Sequence, residues 1–204
     1  MSKVNDKDIN LIHNALNSGN IIAYPTDTIF GLGVDVFNRK ASEKLFQIKN
    51  RNPENPVSVL YSTKEQVYSH FPNLNKFQKK FIERLLPGQV TLLLPLPKNL
   101  GLPSYYHKAG YTGVRLIDHK AINDILANYK NPISTTSINP SGEKPANSIK
   151  KILNYFSNQI EIIIDNEINT EAKPSTILKI GEDNYTVIRD GAVSQAEIKS
   201  RLEL

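Results

Sequence analysis

Short apolar runs alternate with segments of helical spacing along this sequence, and prolines or glycines stand at many of the junctions. Val90 to Leu94 is a continuous apolar run between Pro87-Gly88 and Pro95, the pattern of a strand buried on both faces. Similar runs predict strands over 21–24, 57–61, 114–117, 133–136, 160–164, 176–180 and 186–189. Between them, helical periodicity predicts helices over 6–16, 41–49, 64–70, 75–86 and 120–129, with a short one after Asn147. Ser194-Gln195-Ala196-Glu197 reads as a capping box that opens a final helix. Strands interleaved with helices, without repeat, low-complexity tract or linker, predict one α/β domain over 1–204. The close spacing of the last strands predicts a mixed sheet, because parallel neighbours need longer crossovers.

Composition narrows the function classes. With 204 residues, 39% apolar and 22% charged, the chain can bury a core and is not of the disordered class. A net charge of +5 points to anionic partners without naming them. The absence of cysteine excludes a thiolate nucleophile, a disulfide framework and Cys-type metal sites. The polar start and the shortness of every apolar run predict a soluble protein of the cytoplasm, with no membrane partner. Arginines are few among the basic residues, 6 against 19 lysines, which draws attention to Arg51, Arg115 and Arg189 as planar forks.

Several familiar motifs fail. Gly31-Leu32-Gly33 lacks the third glycine of a dinucleotide fingerprint, since position 36 is Val36, and there is neither a P-loop nor a nucleophile elbow. The four histidines share no metal-ligand spacing. Three stretches concentrate binding chemistry instead. Tyr24-Pro25-Thr26-Asp27-Thr28-Ile29-Phe30-Gly31-Leu32-Gly33 brings hydroxyls and glycines to a strand end, where a ligand can approach closely. Lys49-Asn50-Arg51 puts two cations at the end of a helix, before a proline-bounded segment. Ser134-Thr135-Thr136-Ser137-Ile138-Asn139-Pro140-Ser141-Gly142 offers hydroxyls and an amide to a phosphate or carboxylate. Each also has an ordinary reading as a polar turn or a favourably placed helix-end charge.

Taken with Leu86-Pro87-Gly88-Gln89-Val90-Thr91, Val114-Arg115, Pro174-Ser175-Thr176-Ile177 and Ile188-Arg189-Asp190-Gly191-Ala192, these stretches form an ordered set over nearly the whole chain. The set resembles the YrdC-like family of threonylcarbamoyl-AMP synthases, in its short form without an additional C-terminal domain. The resemblance implies a single YrdC-like domain: a twisted mixed sheet with flanking helices and a concave basic site. It implies a nucleotidyltransferase that joins L-threonine, bicarbonate or CO2, and ATP with Mg2+, giving threonylcarbamoyl-AMP and pyrophosphate. That is the first step toward threonylcarbamoyladenosine in tRNA, so RNA and downstream transfer proteins are implied partners.

By the same resemblance Lys49, Arg51, Ser137 and Asn139 hold the ATP phosphates, with Lys49 and Arg51 catalytic by neutralising charge, and Arg189 is a further nucleotide contact. Thr26, Arg115, Thr135 and Ser175 face threonine, Arg115 taking its carboxylate. The sequence departs from the family's usual pattern at Asp27, Asn52, Gln89 and Ile138. A bulky Ile138 is expected to crowd the pocket, and Asn52, where proline is usual, to loosen a turn. The competing reading is a non-catalytic double-stranded RNA-binding module, which the even spread of lysines disfavours.

Overall fold

The computed structural model describes residues 6–164 and 172–203. Within them lie β1 (Ile22–Tyr24), β2 (Gly31–Gly33), β3 (Ser58–Leu60), β4 (Val90–Pro95), β5 (His107–Lys108), β6 (Tyr111–Arg115), β7 (Ile133–Ser137), β8 (Ile162–Ile163), β9 (Thr176–Ile180) and β10 (Tyr185–Arg189). The helices are α1 (Asp6–Asn17), α2 (Arg39–Ile48), α3 (Lys64–His70), α4 (Lys76–Leu85), α5 (Lys120–Leu126), α6 (Ile149–Phe156) and α7 (Gln195–Leu202). The strands form one open sheet in the order β10-β9-β4-β6-β3-β7-β2-β1-β8, with β5 attached to β6. Parallel pairs β1–β8, β3–β6 and β4–β9 sit among antiparallel ones, so the expectation of a mixed sheet holds. No helix among the described residues is long and apolar enough to cross a membrane.

Strand alternation decides where the core sits. Val90, Leu92 and Leu94 of β4 pack with Phe81, Ile82 and Leu85 of α4 and Ile198 and Leu202 of α7. Leu16 of α1 and Ile122 and Ile125 of α5 cluster with Ile22, Leu60 and Ile133. Leu45 of α2 and Ile152 and Phe156 of α6 cluster with Ala23, Leu32 and Ile138. Each fully buried Leu, Ile or Phe contributes about 1.5–3 kcal/mol, so these contacts dominate the fold's stability. Thr91, Gly113, Arg115, Ser58 and Thr135 lie outside all three clusters and leave a polar strip across the middle of the sheet.

The structure corrects four sequence expectations. Gly31-Leu32-Gly33, where no strand is predicted, is strand β2 between β1 and β7. The Tyr24 ring explains the glycines: a Cβ on Gly33 would lie 2.7 Å from Tyr24 Cε1, and one on Gly31 3.1 Å from its Cζ. The capping box at Ser194 is half made. Ser194 Oγ accepts from Glu197 N, but the Glu197 carboxylate accepts from Arg201, 2.6 Å away and one turn on. The full box is at Asn75 and Gln78, which opens α4. Ile138 turns into the core with Phe30 and Ala146 and crowds no pocket. Asn52 tightens its turn, because Oδ1 accepts from Glu54 N at 2.9 Å and replaces proline's fixed φ with a local hydrogen bond.

Candidate functional site

The first group of candidate residues forms where α2 ends. Lys49 N still bonds Leu45 O, then Asn50 adopts a positive φ of 47° and the chain leaves the helix. Lys49 is thereby turned inward and is 1% exposed. Its Nζ donates to the carbonyl oxygens of Ser137 and Asn139, while Ser141 N donates to Lys49 O at 2.7 Å. The helix end and the segment after β7, about ninety residues apart in sequence, are thus laced together. Burial, and secondarily the Arg51 charge, pull the Lys49 pKa down from 10.5 to about 7.

Arg51 stays with its own loop. Nε donates to Asn55 O at 2.7 Å and Nη2 to Pro56 O at 3.0 Å, which fastens the Pro53–Pro56 segment. It also borders a recess of about 390 Å³ lined by Glu43, Phe46, Gln47, Asn50, Pro53 and Tyr105. Ser137 pairs across the ladder with Gly31. Asn139 uses both Nδ2 protons on Pro140 O and Glu143 O, and its buried Oδ1 has no partner. The free end of Asn139 is therefore an acceptor, suited to a cation or a hydroxyl rather than to a bare oxyanion.

The second group gathers at the other end of the polar strip. Thr26 Oγ1 donates to Ile29 O at 2.7 Å and accepts from Thr28 N at 3.0 Å, so this hydroxyl shapes its own turn. Gln89 Nε2 donates to Asp27 O and ties the turn to the start of β4. Arg115 Nη2 donates to Asp27 Oδ1 at 2.5 Å, with both side chains 7% exposed. Arg189 donates to Ser175 O through Nη2 at 2.7 Å and through Nε at 3.3 Å. Ser175 Oγ lies 2.8 Å from Thr91 Oγ1. Burial, then repulsion from Arg115, lowers the Arg189 pKa. Two guanidiniums thus share one neighbourhood, and Asp27 neutralises one of them.

Thr135 and Tyr24 lie between the groups. Tyr24 OH donates to Ser134 O at 2.9 Å. Burial pushes its phenol upward, while Thr135 and Arg115 pull the other way. Thr135 faces Ser58 across the ladder, and a Cβ on Gly113 would lie 2.6 Å from Ser58 Oγ. Every sequence-predicted site residue therefore falls in one of two cation clusters or on the strip joining them.

Sequence reasoning placed Tyr24, Gln89 and Thr91 inside motifs without giving them a role, and missed Ser58 and Gly113. The signal available for two of them, Ser58 and Thr91, was a lone hydroxyl residue inside an otherwise apolar run. His13 and His70, set aside in the sequence, make structural contacts: His13 Nε2 with Ile125 O at 2.7 Å, and the His70 ring edge-on to Tyr61.

A family model named for Sua5, YciO and YrdC and described as telomere recombination matches residues 14–191. A protein of Marinobacter nauticus named threonylcarbamoyl-AMP synthase is 34% identical over 164 residues, 80% of this chain and 86% of its own. One of the same name from Photobacterium profundum is 31% identical over 179 residues, 87% of this chain and 95% of its own. Among solved structures, a P. abyssi Sua5 variant is 25% identical with a TM-score of 0.87, covering 96% of this chain and 60% of that one. E. coli YciO shares the fold at 19% identity, with a TM-score of 0.83 over 95% of this chain and 94% of its own. The match runs through both cation clusters and the strip between them, and the chain belongs to the Sua5/YciO/YrdC family.

Proposed function

We propose that this protein is a threonylcarbamoyl-AMP synthase. The observation that carries the reading is the name shared by relatives at 31–34% identity over most of this chain, and it favours an enzyme over an RNA-binding module. The two cation clusters support it, because the reaction brings a carboxylate and a polyphosphate onto one surface. The amino group of L-threonine takes up CO2, and a carbamate oxygen attacks the α-phosphorus of ATP. The bond from the α-phosphorus to the bridging oxygen breaks, and pyrophosphate leaves.

Both partners of the attack are anions, so the protein's task is positioning and charge neutralisation. Lys49 and Arg51 do this for the phosphates, with Ser137 beside them and Arg189 as a further nucleotide contact. Arg115, Thr135, Thr26 and Ser175 hold threonine. Asn139 Oδ1, a buried oxygen without a partner, is the atom that would hold Mg2+. When bound it would offset phosphate charge. The setting is the cytoplasm, with tRNA and threonylcarbamoyl-transfer proteins downstream.

The direct test is pyrophosphate release from ATP, which is expected to require both L-threonine and bicarbonate. Release indifferent to threonine would refute the reading. Lys49 supplies a second test. With its pKa near 7, much of the free enzyme carries a neutral Lys49 above that pH, and a bound polyphosphate restores the charge. Binding then takes up a proton, and affinity for a non-hydrolysable ATP analogue falls as pH rises, by up to about tenfold per unit. Calorimetry between pH 7.5 and 9 in buffers of different ionisation enthalpy measures the uptake. Affinity that stays flat across that range would show that Lys49 does not face the phosphates.

A further inference from the structure

The Asp27–Arg115 pair is buried yet incompletely satisfied. Asp27 Oδ2 and Arg115 Nε are both enclosed and have no hydrogen-bond partner, while Oδ1 and Nη2 hold one another at 2.5 Å. An acceptor and a donor left open on one ion pair are costly at this depth, and more so for charged groups. Structural ion pairs of this kind normally close side-on, so that both oxygens and two N–H groups are used. The pair is also fixed from several directions. Gln89 holds the Asp27 carbonyl, and Thr28 Oγ1 lies 3.4 Å from Arg115 Nη1. The two open atoms are therefore held in place rather than free to collapse onto each other. The turn of residues 26–29, which carries Asp27, is pinned by the Thr26 hydroxyl and by Gln89.

A ligand matching this pair carries an anion and a hydrogen-bond donor on adjacent atoms. We propose that Asp27 and Arg115 form a two-point recogniser for an α-amino acid, Arg115 Nε donating to its carboxylate and Asp27 Oδ2 accepting from its α-amino group. The inference rests on the amino-acid substrate proposed above and adds Asp27 as a substrate-binding residue. Asp27 then has two roles. It offsets one of two neighbouring guanidiniums, and it makes the site selective for amino acids over α-hydroxy acids, which offer no ammonium.

The test is calorimetric binding of L-threonine and of 2,3-dihydroxybutanoate, which carries a hydroxyl in place of the amino group, to the wild type, Asp27→Asn and Asp27→Glu. The wild type is expected to bind threonine at least about tenfold more tightly than the hydroxy acid, the worth of one charge-assisted hydrogen bond. In Asp27→Asn, threonine binding should weaken by about tenfold or more while the hydroxy acid binds as well or better, because a negative charge has left the carboxylate's neighbourhood. Asp27→Glu should restore the preference. A mere loss of Arg115 positioning would weaken both ligands together, and that result overturns the proposal. So does an unaltered preference in Asp27→Asn. If that variant fails to fold, equal wild-type affinity for the two ligands overturns the proposal, and a wild-type preference restored in Asp27→Glu upholds it. A wild type that does not bind threonine refutes the threonine reading itself, whereas one that binds it and ignores Asp27 refutes only this inference.

Discussion

Replacing Lys49 by methionine is expected to lower threonine-dependent pyrophosphate release by about 10²–10³-fold, the usual cost of removing one preorganised stabiliser of developing charge. Methionine fills nearly the same volume, so the packing around this 1%-exposed position is kept and only the charge and its donors go. Two carbonyls, of Ser137 and Asn139, lose their donor. Against that, a buried ammonium no longer has to be desolvated, so the net change in stability is expected to stay within about 2 kcal/mol.

The loss of turnover should therefore appear with a melting temperature close to that of the wild type. Arg51→Lys makes the useful contrast. It keeps a charge but cannot hold Asn55 O and Pro56 O together, so it reports on the loop, whereas Lys49→Met reports on the phosphate charge. Single-turnover rates and thermal melts on both variants decide the matter. Wild-type turnover in Lys49→Met would place the phosphates elsewhere.

How much of this was legible in the sequence depends on how local the cause was. Helix α3 lies where periodicity predicted it, because Thr63 caps its first turn and its one buried face is set by neighbouring residues. The run after Pro87-Gly88 is read directly as β4, and its apolar side chains do form the largest cluster. Strand β2 was not legible. Glycines at 31 and 33 disfavour a strand by propensity, and only the Tyr24 ring lying across them makes their lack of a Cβ an advantage. The two capping sites teach the same lesson. Asn75 and Ser194 are both followed three residues on by a residue able to reach back, but Glu197 has Arg201 within one turn and Gln78 has no such competitor for its acceptor oxygen.

The site divides along the same line. Motif order was enough to pick out the cations and hydroxyls, because their chemistry is carried by residue type. Their pairings were not, because they join distant segments. Arg115 meets a carboxylate 88 positions away, and Lys49 meets carbonyls 88 and 90 positions away. Sequence could treat Asp27 only as a departure from a pattern. In the fold it is the carboxylate that keeps two guanidiniums from facing each other unscreened. Ile138 reversed for a related reason: its flanking polar neighbours turn toward the site, so strand-like alternation sends it to the core.

Gly191→Ala is expected to be the most destabilising small substitution near the site. A Cβ at this position would lie 2.4 Å from Pro174 O, 2.5 Å from Ser175 C and 2.5 Å from Thr176 N. All three are backbone atoms, so no side chain can rotate out of the way and the two segments must separate. Separation strains Ala192 N to Pro174 O at 2.9 Å and the exchange between Thr176 Oγ1 and Val193, and it draws Ser175 away from Arg189. Forced overpacking of this kind costs about 3 kcal/mol. In a chain of this length that corresponds to a fall in melting temperature of roughly 6–12 °C. Because Ser175 and Arg189 move with the backbone, the KM values for threonine and for ATP should both rise even well below the melting point.

Gly110→Ala is the control. It has a positive φ of 77° but nothing within 4 Å of its Cβ position, so it should cost only the conformational strain, about 1 kcal/mol, and leave both KM values alone. Equal melting temperatures for the two variants would mean that the 174–176 and 189–193 segments are not held as closely as the structure has them, and that Arg189 does not depend on this contact for its place beside Ser175.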